Sequence, residues 1–168
     1  MPISSYLRDL RARVGSDLLV LPAVTIMIFD DADRLLMARD KETGLWMTIG
    51  GAIDPDESPA DAATREAFEE TGLLVELERV VGVFGGPGFR ITYPNGDVVS
   101  YTVIAFRARA IGGHARPDGV EVGALRYVSD EGAAALPSAP WTKTLLRAAF
   151  DRSGGPLFSA ATWRPDPA

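Results

Sequence analysis

The chain has 168 residues, enough for one domain with a real core, and its 46% apolar and 24% charged content belongs to a folded protein, not a disordered one. With 23 acidic against 17 basic side chains and a net charge of −6, it lacks the basic surface that binds nucleic-acid polymers. It contains no cysteine, which excludes disulfides and thiolate-held zinc or iron–sulfur centres, although an acidic protein still binds a small polyanion when a divalent cation supplies the positive charge.

Residues 1–17 carry Arg8, Asp9, Arg11 and Arg13 and no apolar core of the signal-peptide kind. The apolar run 18–29 is too short to span a bilayer and contains Pro22, so a soluble cytoplasmic protein with no membrane partner is expected. Residues 3–14 read as a short helix, with Tyr6 and Leu10, and Leu7 and Val14, at near-helical spacing and Gly15 as the stop. Residues 19–29 are rich in Val, Ile and Leu and read as a buried strand. The turn Asp30-Asp31-Ala32-Asp33 leads to a second strand at 35–38, and the two are expected to form a hairpin. A short strand at 46–49 runs into Gly50-Gly51.

The clearest helix covers residues 59–71. Ser58 can cap it, Pro59 stands at the first helical position, where its missing N–H is harmless, and Asp61 follows three residues after the cap. Gly72 suits the left-handed position that ends a helix. Beyond it, residues 73–83 alternate like a strand. Residues 90–93 and 98–108 look like two strands joined through Asn95-Gly96, a strong hairpin signal. Residues 112–119 form a loop, 125–128 a last strand, and 129–135 and 140–151 two helices. The tail from Gly154 carries three prolines and is expected to be loosely held. With no repeat and no domain-sized linker, the whole of 1–168 reads as one domain, its core at about 18–152 between the helix 3–14 and the tail 153–168.

The chemistry is concentrated in Gly50–Leu73, GGAIDPDESPADAATREAFEETGL. On the helix, Glu66, Glu69 and Glu70 share an arc of about 100°, while Ala60, Ala63, Ala67 and Phe68 fall on another that can pack on a sheet. Glu66 and Glu70 repel at i,i+4, a pair that costs about 0.2–0.5 kcal/mol in an isolated helix. Glu69 and Glu70 also face the negative end of the helix dipole. A divalent cation would reverse both penalties, and carboxylate oxygens are the ligands Mg²⁺ prefers. Arg65 offsets part of the strain at i,i+4 from Glu69. The helix alone therefore fits a solvated acidic face as well as a cation site.

The flanking spacing adds more. Gly51, five residues, Glu57, seven residues, Arg65-Glu66, then Glu69-Glu70, Gly72 and Leu73 resemble the Nudix box, G-x5-E-x7-R-E-U-x-E-E-x-G-U, with Ala67 at the first aliphatic position. Gly44-Leu45-Trp46 is similar to the family's approach strand, and Tyr93-Pro94-Asn95-Gly96-Asp97 resembles a hairpin of a bacterial branch, so the likeness covers about 20–128. The chain departs from the pattern at Ile49, commonly Pro in the family, and at Asp54, often Glu.

The resemblance implies an α/β/α sandwich with a mixed central sheet and a catalytic loop–helix–loop. It implies Mg²⁺, with Mn²⁺ as a substitute, held by Glu66, Glu69, Glu70 and the Gly50 carbonyl. Glu57 and Arg65 would support that shell. For the general base it offers Glu66, or an acid from a distant loop, here Asp118 or Glu121. Trp46, Phe84, Phe89, Tyr93 and Tyr101 are candidates for stacking on a nucleobase, each equally readable as a packing residue. His114, in a Gly-rich loop, reads as merely exposed, and Trp141 as a packing anchor. The implied activity is hydrolysis of a phosphoanhydride in a nucleoside diphosphate linked to another group, ADP-ribose or a nucleotide sugar first. A nucleoside triphosphate pyrophosphohydrolase, a dinucleoside polyphosphate hydrolase and a non-catalytic nucleotide sensor stand as alternatives. The partner is thus a small nucleotide, and a homodimer is compatible with the family.

Overall fold

The computed structural model describes residues 4–165. The expected helix start at Ile3 and the last three tail residues lie outside this range. The elements run α1 (Ser5–Val14), β1 (Leu19–Phe29), β2 (Leu35–Asp40), β3 (Trp46–Met47), α2 (Pro59–Thr71), β4 (Leu73–Phe84), a 3₁₀ turn (Pro87–Phe89), β5 (Arg90–Thr92), β6 (Val98–Gly113), β7 (Val122–Val128), α3 (Asp130–Ala135) and α4 (Pro140–Ala149). Among the described residues no helix is long and apolar enough to cross a membrane.

One mixed sheet in the order β3-β2-β1-β6-β4 carries the fold, with β5 added to β6 and β7 to β2. Its spine is the parallel pairing of β1 with β6, in register from Leu19 opposite Val99 to Phe29 opposite Arg109. Both faces of β1 are covered, which explains its continuous apolar run. Val24, Ile26 and Ile28 pack towards Ala62, Ala63 and Ala67 of α2. Ala23, Met27 and Phe29 pack towards Leu145, Leu146, Ala148 and Ala149 of α4. The result is the expected α/β/α sandwich with a mixed sheet.

Two expectations need correction. The hairpin of β1 with β2 is reduced to one register pair, Phe29 with Leu35, because another segment occupies the edge of β1. Ile26 N–H donates to the Ile49 carbonyl at 2.8 Å and Val24 N–H to the Gly51 carbonyl at 2.9 Å. β2 pairs instead with β7, from Leu35 opposite Val128 to Asp40 opposite Val122, and with β3. The expected strand 46–49 is accordingly divided, its first half on β2 and its continuation through Gly50-Gly51 bridged to β1. The tail is not loose throughout. Leu157 N–H donates to the Val81 carbonyl and the Leu157 carbonyl accepts from Val83 N–H, which closes the edge of β4 at that point.

The hairpin of β5 and β6 around Asn95-Gly96 forms as expected, with Arg90, Ile91 and Thr92 opposite Ser100, Val99 and Val98. The bounds of α2 also match. Ser58 Oγ accepts from Asp61 N–H at 3.1 Å, and Gly72, at φ 69°, closes the helix with its N–H on the Phe68 carbonyl. Replacing Ser58 with Ala should lower the unfolding free energy by about 1 kcal/mol, read as a shifted urea midpoint at constant slope. An unchanged midpoint would show that the cap contributes nothing.

Candidate active site

The loop before α2 and the buried face of α2 meet at the carboxylates. The fully buried stripe of the helix comprises Ala62, Ala63, Glu66, Ala67, Glu70 and Thr71. Glu66 and Glu70 thus lie beside the alanines that pack on the sheet, not on a separate solvated arc. Phe68, expected on the packing side, is instead exposed, because the row Ala62–Glu66–Glu70 at i,i+4 turns the buried stripe away from it. Glu66 is 1% exposed and Glu70 2%, and one oxygen of each, Oε2, is buried without a hydrogen-bond partner.

Arg65 organises the surroundings. Its Nε and Nη2 donate to Glu57 Oε1 and Oε2, both at 2.8 Å, in the fork geometry that binds a carboxylate most firmly. Nη1 donates to Glu66 Oε1 at 2.8 Å and to Glu69 Oε2 at 3.1 Å, and Nη2 reaches the Ala52 carbonyl at 3.2 Å. Glu57 Oε2 also accepts from Asp54 N–H at 3.2 Å, which pins the loop. One guanidinium therefore holds Glu57, Glu66 and Glu69 together. Glu69, expected among the metal ligands, is committed to Arg65, with its side chain 44% exposed.

The two glycines make room for this arrangement. A Cβ on Gly51 would stand 2.4 Å from Glu66 Oε1. A Cβ on Gly50 would stand 2.2 Å from the Val24 carbonyl oxygen, and Gly50 holds φ 148°, where side chains are disfavoured. The neighbours of Gly50 bond to β1, so alternation turns its own polar groups away from that strand. Its N–H meets the Glu70 carboxylate.

Burial dominates the electrostatics. The Glu66 carboxyl is pushed up to about 7 by desolvation, against the pull of Arg65 and with help from Glu69 and Glu57. Desolvation also raises Glu70 well above the carboxylate range; Glu66 and Asp118 add to this, and the Gly50 N–H opposes it. Glu57 moves the other way, held low by its bonds to Arg65.

A cavity of about 550 Å³ opens beside Glu70, Gly50 and Gly51. Its walls include four of the five candidate stacking residues, Trp46, Phe89, Tyr93 and Tyr101, together with Glu121. Trp46 and Phe89 are themselves buried walls: Arg126 lies over Trp46 at 5.4 Å, and Phe84 packs against Phe89 with ring centroids 6.1 Å apart. Phe84 does not line the cavity. Tyr93, 39% exposed, is the open aromatic, its hydroxyl 2.8 Å from that of Tyr101. Asp118 accepts from the N–H groups of Val120, Glu121 and Val122 and so shapes the loop that presents Glu121. Trp141 both packs on the core and lines the cavity, whereas His114 is exposed. Sequence reasoning missed Thr25 and Thr48 in these walls. The available signal was a lone hydroxyl within the apolar run 19–29.

The residues suit a hard cation. Two buried carboxylates with unpaired oxygens are costly alone and favourable around a divalent ion. Among the described residues no three His, Cys, Asp or Glu side chains converge into a metal cage. Such an ion would therefore complete its shell with water, backbone carbonyl or substrate, the mode typical of Mg²⁺.

In the cation-free protein, a carboxyl raised from 4.5 to about 7 keeps in the fold a proton that the unfolded chain has released. Stability should then fall as pH rises through that window, with Glu70 extending the loss upward. Thermal melts without divalent cations should give a lower Tm at about pH 8 than at about pH 5.5, and the difference should shrink in Glu66→Gln. A Tm that rises over this range would contradict the burial of these groups as charged side chains.

The NUDIX domain model matches residues 20–149. A Bacillus subtilis (strain 168) protein named "Putative 8-oxo-dGTP diphosphatase" is 32% identical over 104 residues, covering 62% of this chain and 63% of that one. The human diphosphoinositol polyphosphate phosphohydrolase 3-alpha is 40% identical over 50 residues, 30% of each chain. The chain thus spans less than two thirds of the length of either relative. Among solved structures, an ADP-ribose pyrophosphatase from Streptococcus suis 89-1591 superposes with a TM-score of 0.59 at 26% identity, covering 81% of this chain and 96% of that one. A family model matched over most of the chain, on a fold shared with a solved family enzyme, shows that this chain belongs to the NUDIX domain family.

Proposed function

We propose that this protein is a Mg²⁺-dependent hydrolase of a phosphoanhydride bond in a nucleoside diphosphate linked to another moiety, ADP-ribose or a nucleotide sugar first. One observation carries this reading: Glu70 lines a cavity whose walls, among the described residues, contain no Lys or Arg, Glu66 lies one helical turn before it, and both are almost fully buried with an unpaired oxygen. A diphosphate cannot enter such a place without a cation, since Asp40, Glu42 and Glu121 already make the walls negative. Glu66 and Glu70 are the proposed holders, with the Gly50 carbonyl and Glu69 as further candidates. Mg²⁺, with Mn²⁺ as substitute, would neutralise the phosphates and lower the pKa of an attacking water.

The chain's own residues supply the rest. Arg65 fixes Glu66 by one oxygen and leaves the other without a hydrogen-bond partner. Glu57 in turn fixes Arg65 through its bidentate pair. Glu66 is thereby occupied at both oxygens once a cation is held, which leaves Glu121, on the facing loop of the same cavity, as the proposed general base. Tyr93 and the buried aromatic walls accept the organic end of the substrate.

The names of the relatives suggest other substrates. A nucleoside triphosphate would bring a third phosphate, and an inositol polyphosphate several more, against walls with no basic side chain. Both are disfavoured by charge.

Glu70→Gln should reduce turnover of ADP-ribose or nucleotide sugars by about 100-fold or more, while its Tm without cations at neutral pH rises because the cost of burying an ionisable carboxyl is removed. Near-normal turnover would remove Glu70 from the mechanism. Glu121→Gln should lower kcat by about 10²–10⁴-fold with little change in KM. An unchanged kcat would return the base assignment to Glu66. Equal turnover with and without Mg²⁺ across nucleotide sugars, nucleoside triphosphates and an inositol pyrophosphate would overturn the proposal as a whole.

A further inference from the structure

The cavity beside Glu70 has a polar feature that the cation chemistry does not use. Among the described residues six polar side chains are buried, and three of them line this cavity: Glu70, Thr25 and Thr48. Thr25 is 3% exposed and Thr48 8%. Their Oγ1 atoms are 2.8 Å apart, and Thr25 Oγ1 lies 3.0 Å from the Ile49 carbonyl oxygen. The other threonines of the cavity wall, Thr43 and Thr92, are exposed, so among the described residues Thr25 and Thr48 are its buried threonines.

We infer that Thr48 is the specificity-determining residue that reads the hydrogen-bonding edge of the substrate's ring, and that Thr25 fixes its polarity. The inference rests on the cavity being the seat of the organic moiety. Thr25 has one hydroxyl proton and two acceptors within reach. Thr25 donates, to Thr48 Oγ1 at 2.8 Å and to the Ile49 carbonyl at 3.0 Å, so its one proton is shared between them. Thr48 accepts from Thr25, and its own proton is left for the cavity.

Thr48 therefore presents a donor, and its match is a carbonyl oxygen or an unprotonated nitrogen on a planar ring. Trp46, two residues earlier on the same side of this extended segment, supplies part of the apolar wall against which the ring lies. A hydroxyl read at a buried wall discriminates more sharply than one at an open rim, because a mismatched ring leaves it unpaired and cut off from water. The absence of Lys and Arg from the walls fits the same conclusion, since an uncharged ring needs none.

Thr48→Val keeps the shape and removes the hydroxyl. Thr48→Ser keeps the hydroxyl. Thr25→Val removes the donor that holds the Thr48 hydroxyl in its orientation. The test measures kcat/KM for adenosine, guanosine, cytidine and uridine diphosphate sugars. In parallel, saturation-transfer NMR with the four free nucleosides reports binding without any need for hydrolysis. Thr48→Val should lower kcat/KM for the preferred base by about tenfold and flatten the preference, whereas Thr48→Ser should retain it. Thr25→Val should weaken the same preference, by less than Thr48→Val does. The same loss should appear in the nucleoside spectra of Thr48→Val.

If Thr48→Val hydrolyses all four substrates in the wild-type ratios, the inference fails while the proposed function stands. If the wild type hydrolyses none but binds nucleosides in a Thr48-dependent way, the proposed function fails and this inference survives. Wild-type protein that neither distinguishes the four bases nor binds a free nucleoside would also overturn it.

Discussion

Two carboxylates that belong in water are held in the interior of this protein, and the surrounding structure is arranged around that constraint. Glu66 and Glu70 occupy the helix face that packs on the sheet, beside Ala62, Ala63, Ala67 and Thr71. Like charges one turn apart, at the negative end of a helix and out of contact with solvent, break three rules of stability at once. Arg65 offsets part of the penalty for Glu66 but does not reach Glu70. The two glycines before the helix are needed because Glu66 presses against one and β1 against the other. Features that break local rules together in this way tend to mark functional sites.

The fold supplies the position. β1 is buried on both faces and cannot move, and the segment through Ile49 and Gly51 is hydrogen-bonded to it. Glu70 is then set against the N–H of Gly50 at the end of that segment. The same segment carries Trp46 and Thr48 into the cavity on the α4 side of the sheet. A single stretch of backbone thus links the charged site to the walls expected to receive the organic group.

Elements with strong local signals were legible in the sequence. The bounds of α2 follow from Ser58, Pro59 and Gly72, and those of β1 from its unbroken apolar run. The Asn95-Gly96 hairpin likewise needed nothing from elsewhere in the chain. The spacing of Glu57, Arg65, Glu66, Glu69 and Glu70 pointed to the family before any coordinates. Long-range pairing was less accessible. Nothing local in β2 shows that β7, some 90 residues later in the chain, would win over β1, because the competitor at β1 is an irregular segment containing two glycines. The exposure of Phe68 and the diversion of Glu69 to Arg65 depend on which side chains reach one another across a turn, which an angular plot of the helix does not resolve. Four of the five aromatic candidates line one cavity, whereas the hydroxyl pair within it carried only a faint sequence signal.

Direct counting of bound cations bears most closely on the claim that the buried carboxylates exist to hold one. Mn²⁺ titrations followed by electron paramagnetic resonance, on the wild type and on the double variant Glu66→Gln/Glu70→Gln, give that count without dependence on any substrate. The account predicts saturable binding in the wild type that disappears in the double variant while the fold persists. Equal binding by both proteins would contradict it.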